Sequence, residues 1–201
     1  WSLLIDATNT QAALEGTEDL ASLDYNIFQS TYGLQYDASR QWSFGGAFGY
    51  GQANLYNFEY ANSRIDSNTY GGSIWGIYRP SQPWRLTALL GYMNLQYDSS
   101  RQIDFGGLDR TARASWSGNG FTSALSAEYD WILNGRSGDP TAVRLRPRTY
   151  LAYSLHNQGD ITESGAESLN LAIDGHTADS LMYGIGFTLE TPIQLSRTSR
   201  L

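Results

Sequence analysis

Residues 41–51 read QWSFGGAFGYG, and this stretch decides the fold class of the chain. Successive side chains of a β-strand point to opposite faces of the sheet, so every second residue shares a face. One face here is aromatic and consists of Trp42, Phe44, Phe48 and Tyr50. The other face carries only serine, alanine and glycine. Such a strand fits a soluble sheet that packs its aromatic residues in a core, or a barrel that turns them toward lipid.

The composition of the chain describes a β-rich protein with many amphipathic aromatic residues. The 201 residues include 14 Tyr, 6 Trp, 7 Phe and 21 Gly, a mixture that suits a membrane interface. The formal net charge of −7 argues against nucleic acid or an anionic lipid surface as a partner. Because the chain has no cysteine, disulfides and thiolate metal sites are excluded. No apolar run approaches the roughly 20 residues of a transmembrane helix.

The same alternation recurs along the chain and predicts an all-β antiparallel meander. No composition shift divides the chain, so we expect residues 1–201 to form one domain. Residues 8–23 are the least strand-like and are expected to hold a loop or a short helix. The turn of the last hairpin is expected at residues 174–176. Strands are predicted at residues 25–36, 41–51, 68–79, 84–92, 121–131, 142–156, 168–174 and 181–190, with a ninth at residues 1–7.

The apolar faces of these strands are predicted to meet lipid. Aromatic residues stand toward both ends of several strands, as at the two interfaces of a membrane barrel. A spacing of roughly nine residues bridges a bilayer core when the strands tilt. The residues predicted to face lipid are Trp42, Phe44, Phe48, Tyr50, Trp84, Leu86, Leu90, Tyr92, Leu125, Tyr129, Leu151, Tyr153, Ile185 and Phe187.

The opposite face becomes charged in the second half of the chain. Consecutive strands usually pair, so acidic residues before the loop at 134–140 should lie beside arginines that follow it. The predicted lumen-facing charged residues are Glu128, Asp130, Arg144, Arg146 and Arg148. The three arginines form either a free electropositive wall that contacts a threading segment or an ordinary ladder of paired lumen charges. We favour the paired ladder.

The chain offers no recognisable catalytic, metal or cofactor site. The only histidines are His156 and His176, and neither belongs to a recognisable nucleophile motif. One acidic set matches no cation-binding loop and is better explained as solvated loop residues; it comprises Asp104, Asp109, Glu163 and Glu167. We therefore expect no enzyme activity, no metal and no cofactor.

The order of several short motifs resembles the translocator β-domain of autotransporters, the self-exporting outer-membrane proteins of type V secretion. The matching pieces within residues 101–190 are RQIDFGGLDRTARA, SAEYDW, LRP, ESGAESLNLAI and GIGFTL. Upstream, STYGLQYDASRQWSFGGAFGYG resembles an early glycine-rich and aromatic-rich hairpin of that domain. The resemblance covers most of residues 24–190.

The resemblance implies a transmembrane β-barrel of twelve strands, of which this chain would supply eight or nine. It implies the outer membrane of a Gram-negative-type envelope, with outer-membrane lipids, a passenger segment and the barrel-assembly machinery as partners. After residue 190 the sequence TPIQLSRTSRL shows no further strand pattern and no aromatic terminal residue. Because an open sheet leaves edge amides unsatisfied in lipid, we expect a C-terminally truncated fragment or a barrel closed by further chains.

Two other functions stay open at this point. The chain fits a structural outer-membrane barrel or assembly subunit without secretion activity, and a native chain with little else attached would favour that function. It also fits a soluble β-barrel or sandwich that binds a small ligand. Extraction in aqueous buffer without detergent would favour the soluble protein, because an exposed aromatic belt makes a folded chain insoluble there.

Overall fold

The chain forms one antiparallel sheet that curves as half of a barrel. The computed structural model describes residues 1–16, 22–58, 63–81, 83–135 and 142–191. In this part of the chain no helix is both long and apolar enough to cross a membrane. The strands are β1 Ser2–Leu14, β2 Leu23–Asp37, β3 Trp42–Tyr56, β4 Ser63–Tyr78, β5 Trp84–Phe105, β6 Leu108–Tyr129, β7 Trp131–Asn134, β8 Val143–Gln158, β9 Ile161–Thr162, β10 Ala172–Ile173 and β11 His176–Glu190.

The order of strands in the sheet follows their order in the chain, which confirms the predicted meander. The sheet runs β1-β2-β3-β4-β5-β6-β8-β11, and β7 continues β6 along β8. Apart from residues 168–174, each predicted strand falls on one of these elements or on β6 and β7 together, with at most one residue outside them, and several elements are longer than predicted. The β5–β6 register is unbroken from Trp84 opposite Tyr129 to Phe105 opposite Leu108. Residues of equal parity therefore share one face along this whole hairpin.

The two ends of the sheet differ in their connections. The short connection at residues 38–41 and the described residues 79–81 and 83 between β4 and β5 lie at one end, which we call the turn end. At the opposite end, the hairpin end, β5 and β6 extend to a turn at Gly106 and Gly107. Both glycines have positive φ, 59° and 85°, a conformation that favours glycine.

The first strand is longer than the sequence predicted. The expectation of a loop or short helix at residues 8–23 is wrong for residues 8–14, which continue β1. Each of them pairs with β2, up to Leu14 opposite Leu23. The hydrogen-bonded ladder thus overrides the weak strand propensity of TNTQAAL. Residues 17–21 lie outside the described residues.

The predicted last hairpin, with a strand at residues 168–174 and its turn at residues 174–176, is also wrong. Only Ala172–Ile173 form a strand there, and they pair with β9, whereas β11 pairs with β8. β9 and β10 prolong the β8–β11 hairpin in the same register, beyond a break at residues 174–175. The chain reverses farther on, through a 3-10 turn at Glu167–Leu169. Glu167 has a positive φ of 53°, which a strand does not accommodate.

Candidate membrane surface and lumen wall

Cross-strand register gathers the large aromatic and aliphatic residues on one face of the sheet. Trp42 lies opposite Tyr78, Tyr78 opposite Leu86, and Leu86 opposite Ala127. Directly opposed residues of an antiparallel pair share a face. Extended by alternation through the other pairs, this register puts every residue predicted to face lipid on the same face, which we call the outer face. Contact of that face with lipid stays a prediction.

The outer face exposes its large apolar side chains. Leu125 is 58% exposed, and Phe48, Leu90 and Tyr92 are similarly open. Soluble monomers rarely expose contiguous apolar patches larger than a few hundred Å². The outer face therefore requires an apolar cover.

Aromatic pairs line the outer face at the turn end. Both tryptophan and tyrosine rings have an apolar body and a polar edge, which suits the boundary between lipid and water. The pairs and their ring-centroid distances are Trp1–Tyr36 at 4.6 Å, Trp42–Tyr78 at 4.3 Å and Trp84–Tyr129 at 4.9 Å. We call these residues the turn-end girdle.

A second aromatic row lies farther along the same strands. Tyr50 and Tyr70 have ring centroids 5.2 Å apart, and Tyr92 lies opposite Phe121. Tyr50 is eight residues from Trp42, which corresponds to about 26 Å along a strand. Because barrel strands tilt by about 35–45°, this length corresponds to about 20 Å across the membrane, comparable to the apolar band of outer-membrane barrels, which is about 25 Å tall.

Beyond the second row the outer face is polar on four adjacent strands. Directly opposed polar residues form a row there, Gln52, Asn68, Gln96 and Ser117, and on β5 and β6 the polar residues begin one outward position earlier, at the opposed pair Asn94 and Asn119. Packing against a protein core would not require the apolar residues to end at a similar level on adjacent strands. The boundary instead fits the edge of an apolar solvent.

The opposite, inner face borders a concave space of about 820 Å³. Small residues such as Ala47, Gly49 and Thr122 line part of it. The middle part of the inner face is more apolar, because strand alternation there turns some aliphatic residues inward. These are Ile27, Leu55, Ile65, Leu89 and Leu95.

Glycine allows an aromatic ring to lie against the inner face near the turn end. The indole of Trp75 occupies the space that a Cβ atom at Gly45 would need. Trp75 Nε1 also donates a hydrogen bond to Gln35 Oε1 at 3.2 Å. This contact is not predictable from strand periodicity, because the ring and the glycine belong to different strands.

The charged residues predicted on the inner face do form a paired cluster at the turn end. Asp130 accepts hydrogen bonds from Arg144 Nη1 at 3.2 Å and from Arg146 Nε at 3.4 Å. Arg148 Nε lies 3.4 Å from Glu128 Oε1. Each of the three arginines thus has a carboxylate partner, which supports the paired ladder over a free electropositive wall.

Glu190 completes this turn-end charge cluster and was missed as a site residue. Its Oε1 lies 2.6 Å from Arg146 Nη1. Alternation already places Glu190 on the inner face, but its partner depends on the β8–β11 register, and the sequence analysis paired the last strand wrongly. The side chains of the cluster are partly exposed, so each pair contributes about 0–1 kcal/mol.

Two of the four acidic residues that the sequence offers as cation ligands pair with arginines. Glu163 pairs with Arg101, and Glu167 Oε2 lies 2.9 Å from Arg110 Nη2. Within the described ranges, no three histidine or acidic side chains gather in a way that would hold a metal ion. The geometry supports an apolar outer face and a partly charged inner face, with no assembled chemistry.

Comparisons with known proteins agree with this architecture. A family model described as the autotransporter β-domain matches residues 5–201. The translocator domain of the autotransporter NalP from Neisseria meningitidis is similar in structure, with a TM-score of 0.70 over 97% of this chain. Its sequence is 19% identical, so this likeness shows the fold alone, and the chain spans 63% of that structure. No curated protein matches the chain significantly. The chain belongs to the autotransporter β-domain family.

Proposed function

We propose that this chain forms part of the membrane-embedded wall of a translocator that anchors a passenger segment and exports it to the cell surface. Membership of the family implies an outer-membrane context and a passenger segment. The observation that carries the proposal is the one-sided apolar band. It lies between two aromatic rows and ends at the polar row of Gln52, Asn68, Gln96 and Ser117.

The turn end faces the periplasm in this proposal, and the hairpin end lies outside the cell. Outer-membrane barrels have short periplasmic turns and longer extracellular connections. The short connections at the turn end support this orientation, as does the long β5–β6 hairpin at the other end.

The inner face suits a passage that is occupied by a polypeptide segment. Paired charges at the turn end keep the wall hydrated without a strong net field that would hold a chain of one sign. The aliphatic residues in the middle of the inner face are half-buried and line the concave space. An amphipathic passenger segment in the lumen would cover them.

The apolar band also implies partners in the membrane. Outer-membrane lipids cover the apolar band, and the barrel-assembly machinery inserts it. Within the described residues β1 and β11 pair on one side only, so further strands of the same protein or further chains complete the barrel. Translocator domains of this family are transport barrels, and we assign no catalytic step.

Epitope tags at three positions in the full-length protein test the proposal on intact cells. One tag lies in the passenger upstream of this chain, one at Gly106, and one at the turn end, between β4 and β5. We expect antibody to label the passenger and Gly106 tags on intact cells, and the turn tag only after the outer membrane is permeabilised.

The same tags separate the alternatives. A labelled Gly106 tag with an internal passenger tag would indicate a structural barrel without secretion. Labelling of the turn tag on intact cells would contradict the orientation. Recovery of the folded chain in aqueous buffer without detergent would contradict the membrane barrel and favour a soluble one.

A further inference from the structure

The reversal between β9 and β10 folds across the inner side of the long β5–β6 hairpin. We call residues 163–171 the latch. It contacts Arg101 and Ile103 on β5 and Ala112 on β6. Arg101 and Ile103 share the parity of Leu95, which borders the concave space, and Ala112 lies opposite Arg101. The latch therefore packs on the side of the hairpin that continues the inner face.

A small apolar contact holds the centre of the latch. Ala166 is fully buried and packs with Ala112, 1% exposed, and Ile103, 8% exposed. Leu169 packs against the same cluster. On the outer side at this end of β5 the residues are polar, so the apolar contact is on the inner side alone.

Arg101 ties both arms of the latch to β5. Its guanidinium donates Nε to Glu163 Oε1 at 3.1 Å and Nη2 to Glu163 Oε2 at 2.6 Å, a bidentate pair. Nη2 also donates to the Leu169 carbonyl at 3.1 Å. The Glu163 side chain is 9% exposed, and its Oε2 accepts the Leu171 amide at 2.8 Å. Hydrogen bonding from Arg101 holds the pKa of Glu163 below its usual range.

Arg110 on β6 adds a second, more exposed tie. Its Nη1 donates to the Ala166 carbonyl at 3.1 Å, and its Nη2 pairs with Glu167. The backbones of Arg113 and Ser164 also exchange two hydrogen bonds, of 2.8 and 2.9 Å. These contacts link the latch to both strands of the β5–β6 hairpin.

The β8–β11 ladder has two breaks at the base of the latch, where the Gly159 amide still donates to the Ser117 carbonyl at 2.9 Å and the Gly175 amide to Asp160 Oδ1 at 2.7 Å. The breaks lie at residues 159–160 and 174–175, side by side in the β8–β11 hairpin. Below them β11 pairs with β8 from His176 onward, so this ladder does not depend on the latch. Opening the latch would break its ties to β5 and β6 while the barrel wall stays paired.

We propose that residues 163–171 are a movable cover over the extracellular mouth of the lumen, closed onto β5 and β6 and opened about the breaks at 159–160 and 174–175. The inference rests on the proposed function, because only a translocator barrel gives the inner face a lumen. The inference adds that the extracellular mouth of the lumen has a closed and an open state, and that the Arg101–Glu163 ion pair stabilises the closed state.

Cysteine labelling on intact cells tests the cover in the full-length protein. The chain has no cysteine, so Ala112→Cys under the latch and Leu95→Cys deeper on the inner face serve as single reporters. A membrane-impermeant maleimide is added from outside. We expect both reporters to react slowly, and Glu163→Gln to speed both about tenfold, because a charge-assisted pair is lost from the closed state.

Arg101→Gln is the second variant and should act in the same direction. Arg64→Gln is the matched control, because Arg64 also pairs with a neighbouring carboxylate near the hairpin end, Asp66 at 2.8 Å, but on the outer face. This control should leave both rates unchanged. Heat-modifiable migration of each variant in detergent gels confirms that it is folded.

Three results would overturn the inference. Unchanged Ala112→Cys labelling in folded Glu163→Gln and Arg101→Gln would show that the pair holds no closed state. Faster labelling of Ala112→Cys without Leu95→Cys would show a moving loop that does not guard the lumen. A wild-type protein absent from the outer membrane would refute the proposed function itself, and the cover with it, whereas the first two results leave the translocator standing.

Discussion

The two halves of the β5–β6 hairpin belong to the same strands but present opposite chemistry. In the half near the turn end, the outer face carries Trp84 and Leu90, and the inner face carries Arg85 and Glu128. In the other half, the outer face is polar from Gln96 onward, while the inner face holds the buried cluster under the latch. The alternation has the same period in both halves. The difference teaches that the solvent on each side, and not the alternation, decides which face is apolar.

The largest loss of stability is expected when a charged side chain is placed in the apolar band of the outer face. Leu125→Arg should destabilise the folded barrel in lipid by about 2–4 kcal/mol, because Leu125 projects from the middle of the outer face. Leu90→Arg should act alike. Ser126→Arg, one residue away on the inner face, is the control and should fold nearly as well as the wild type. Urea titration of folding into lipid vesicles measures all three; equal stability of Leu125→Arg and Ser126→Arg would reverse the assigned faces.

A substitution at Gly45 tests how closely the Trp75 indole packs against the inner face. Gly45→Ala should cost about 1–3 kcal/mol, because the added methyl displaces the Trp75 indole from its site beside Gln35. Gly51→Ala is the control on the same strand and face, since its Cβ would meet neighbours at ordinary distances of 3.7 Å or more. The same urea titration applies. A Gly45→Ala barrel as stable as Gly51→Ala would show that the indole moves away at little cost.

The stability of the closed latch should depend on pH only in the acidic range. The pKa of Glu163 is lowered by Arg101, so the carboxylate stabilises the closed latch fully above the ordinary glutamate pKa of about 4.3. This contribution is lost as the pH falls through the lowered pKa. Arg101 and Arg110 are the cations that contact the latch, and Glu167 is another carboxylate within it. Accessibility of Ala112→Cys in purified protein, read with a thiol reagent that is active in acid, should stay flat from neutral pH to about 4.3 and rise below it; a rise near neutral pH would contradict the assignment.

The smallest effect is expected in the turn-end charge cluster. Arg148→Gln should change the free energy of unfolding by less than about 1 kcal/mol, because its side chain is 58% exposed and has one ion-pair partner, Glu128. Arg146→Gln should cost more, because Arg146 bridges Asp130 and Glu190. Urea titrations of the two variants at the same salt concentration compare them. A larger loss for Arg148→Gln would show that the cluster is organised around Glu128 instead.

The outer face was predictable from the sequence because its chemistry repeats with the strand period. Trp42 and Phe44 on one strand and Trp84 and Leu86 on another needed no knowledge of register to be placed on one face. The pairing of Asp130 with the arginines was predictable for a similar reason, since the two strands follow each other in the chain.

The latch was not predictable, because its contacts join distant residues whose local pattern points elsewhere. The alternation of Leu169, Leu171 and Ile173 predicts a strand, yet the chain turns at Gly165 and Glu167 to satisfy contacts with β5 and β6. The pair Arg101–Glu163 spans 62 residues and depends on a register that strand periodicity does not encode. Tertiary contacts overrode the local preference there.

Spin-label accessibility along the β5–β6 hairpin tests the central claim most directly. Single cysteines replace Leu90 and Leu125 in the apolar band, Ser126 on the inner face, and Gln96 and Ser117 on the outer face beyond the band. In lipid vesicles we predict that oxygen reaches the labels at Leu90 and Leu125 preferentially, whereas a water-soluble nickel chelate reaches Gln96, Ser117 and Ser126. Equal access of the nickel chelate to labels at Leu90, Leu125 and Gln96 would contradict a lipid-facing band that ends where the outer face becomes polar.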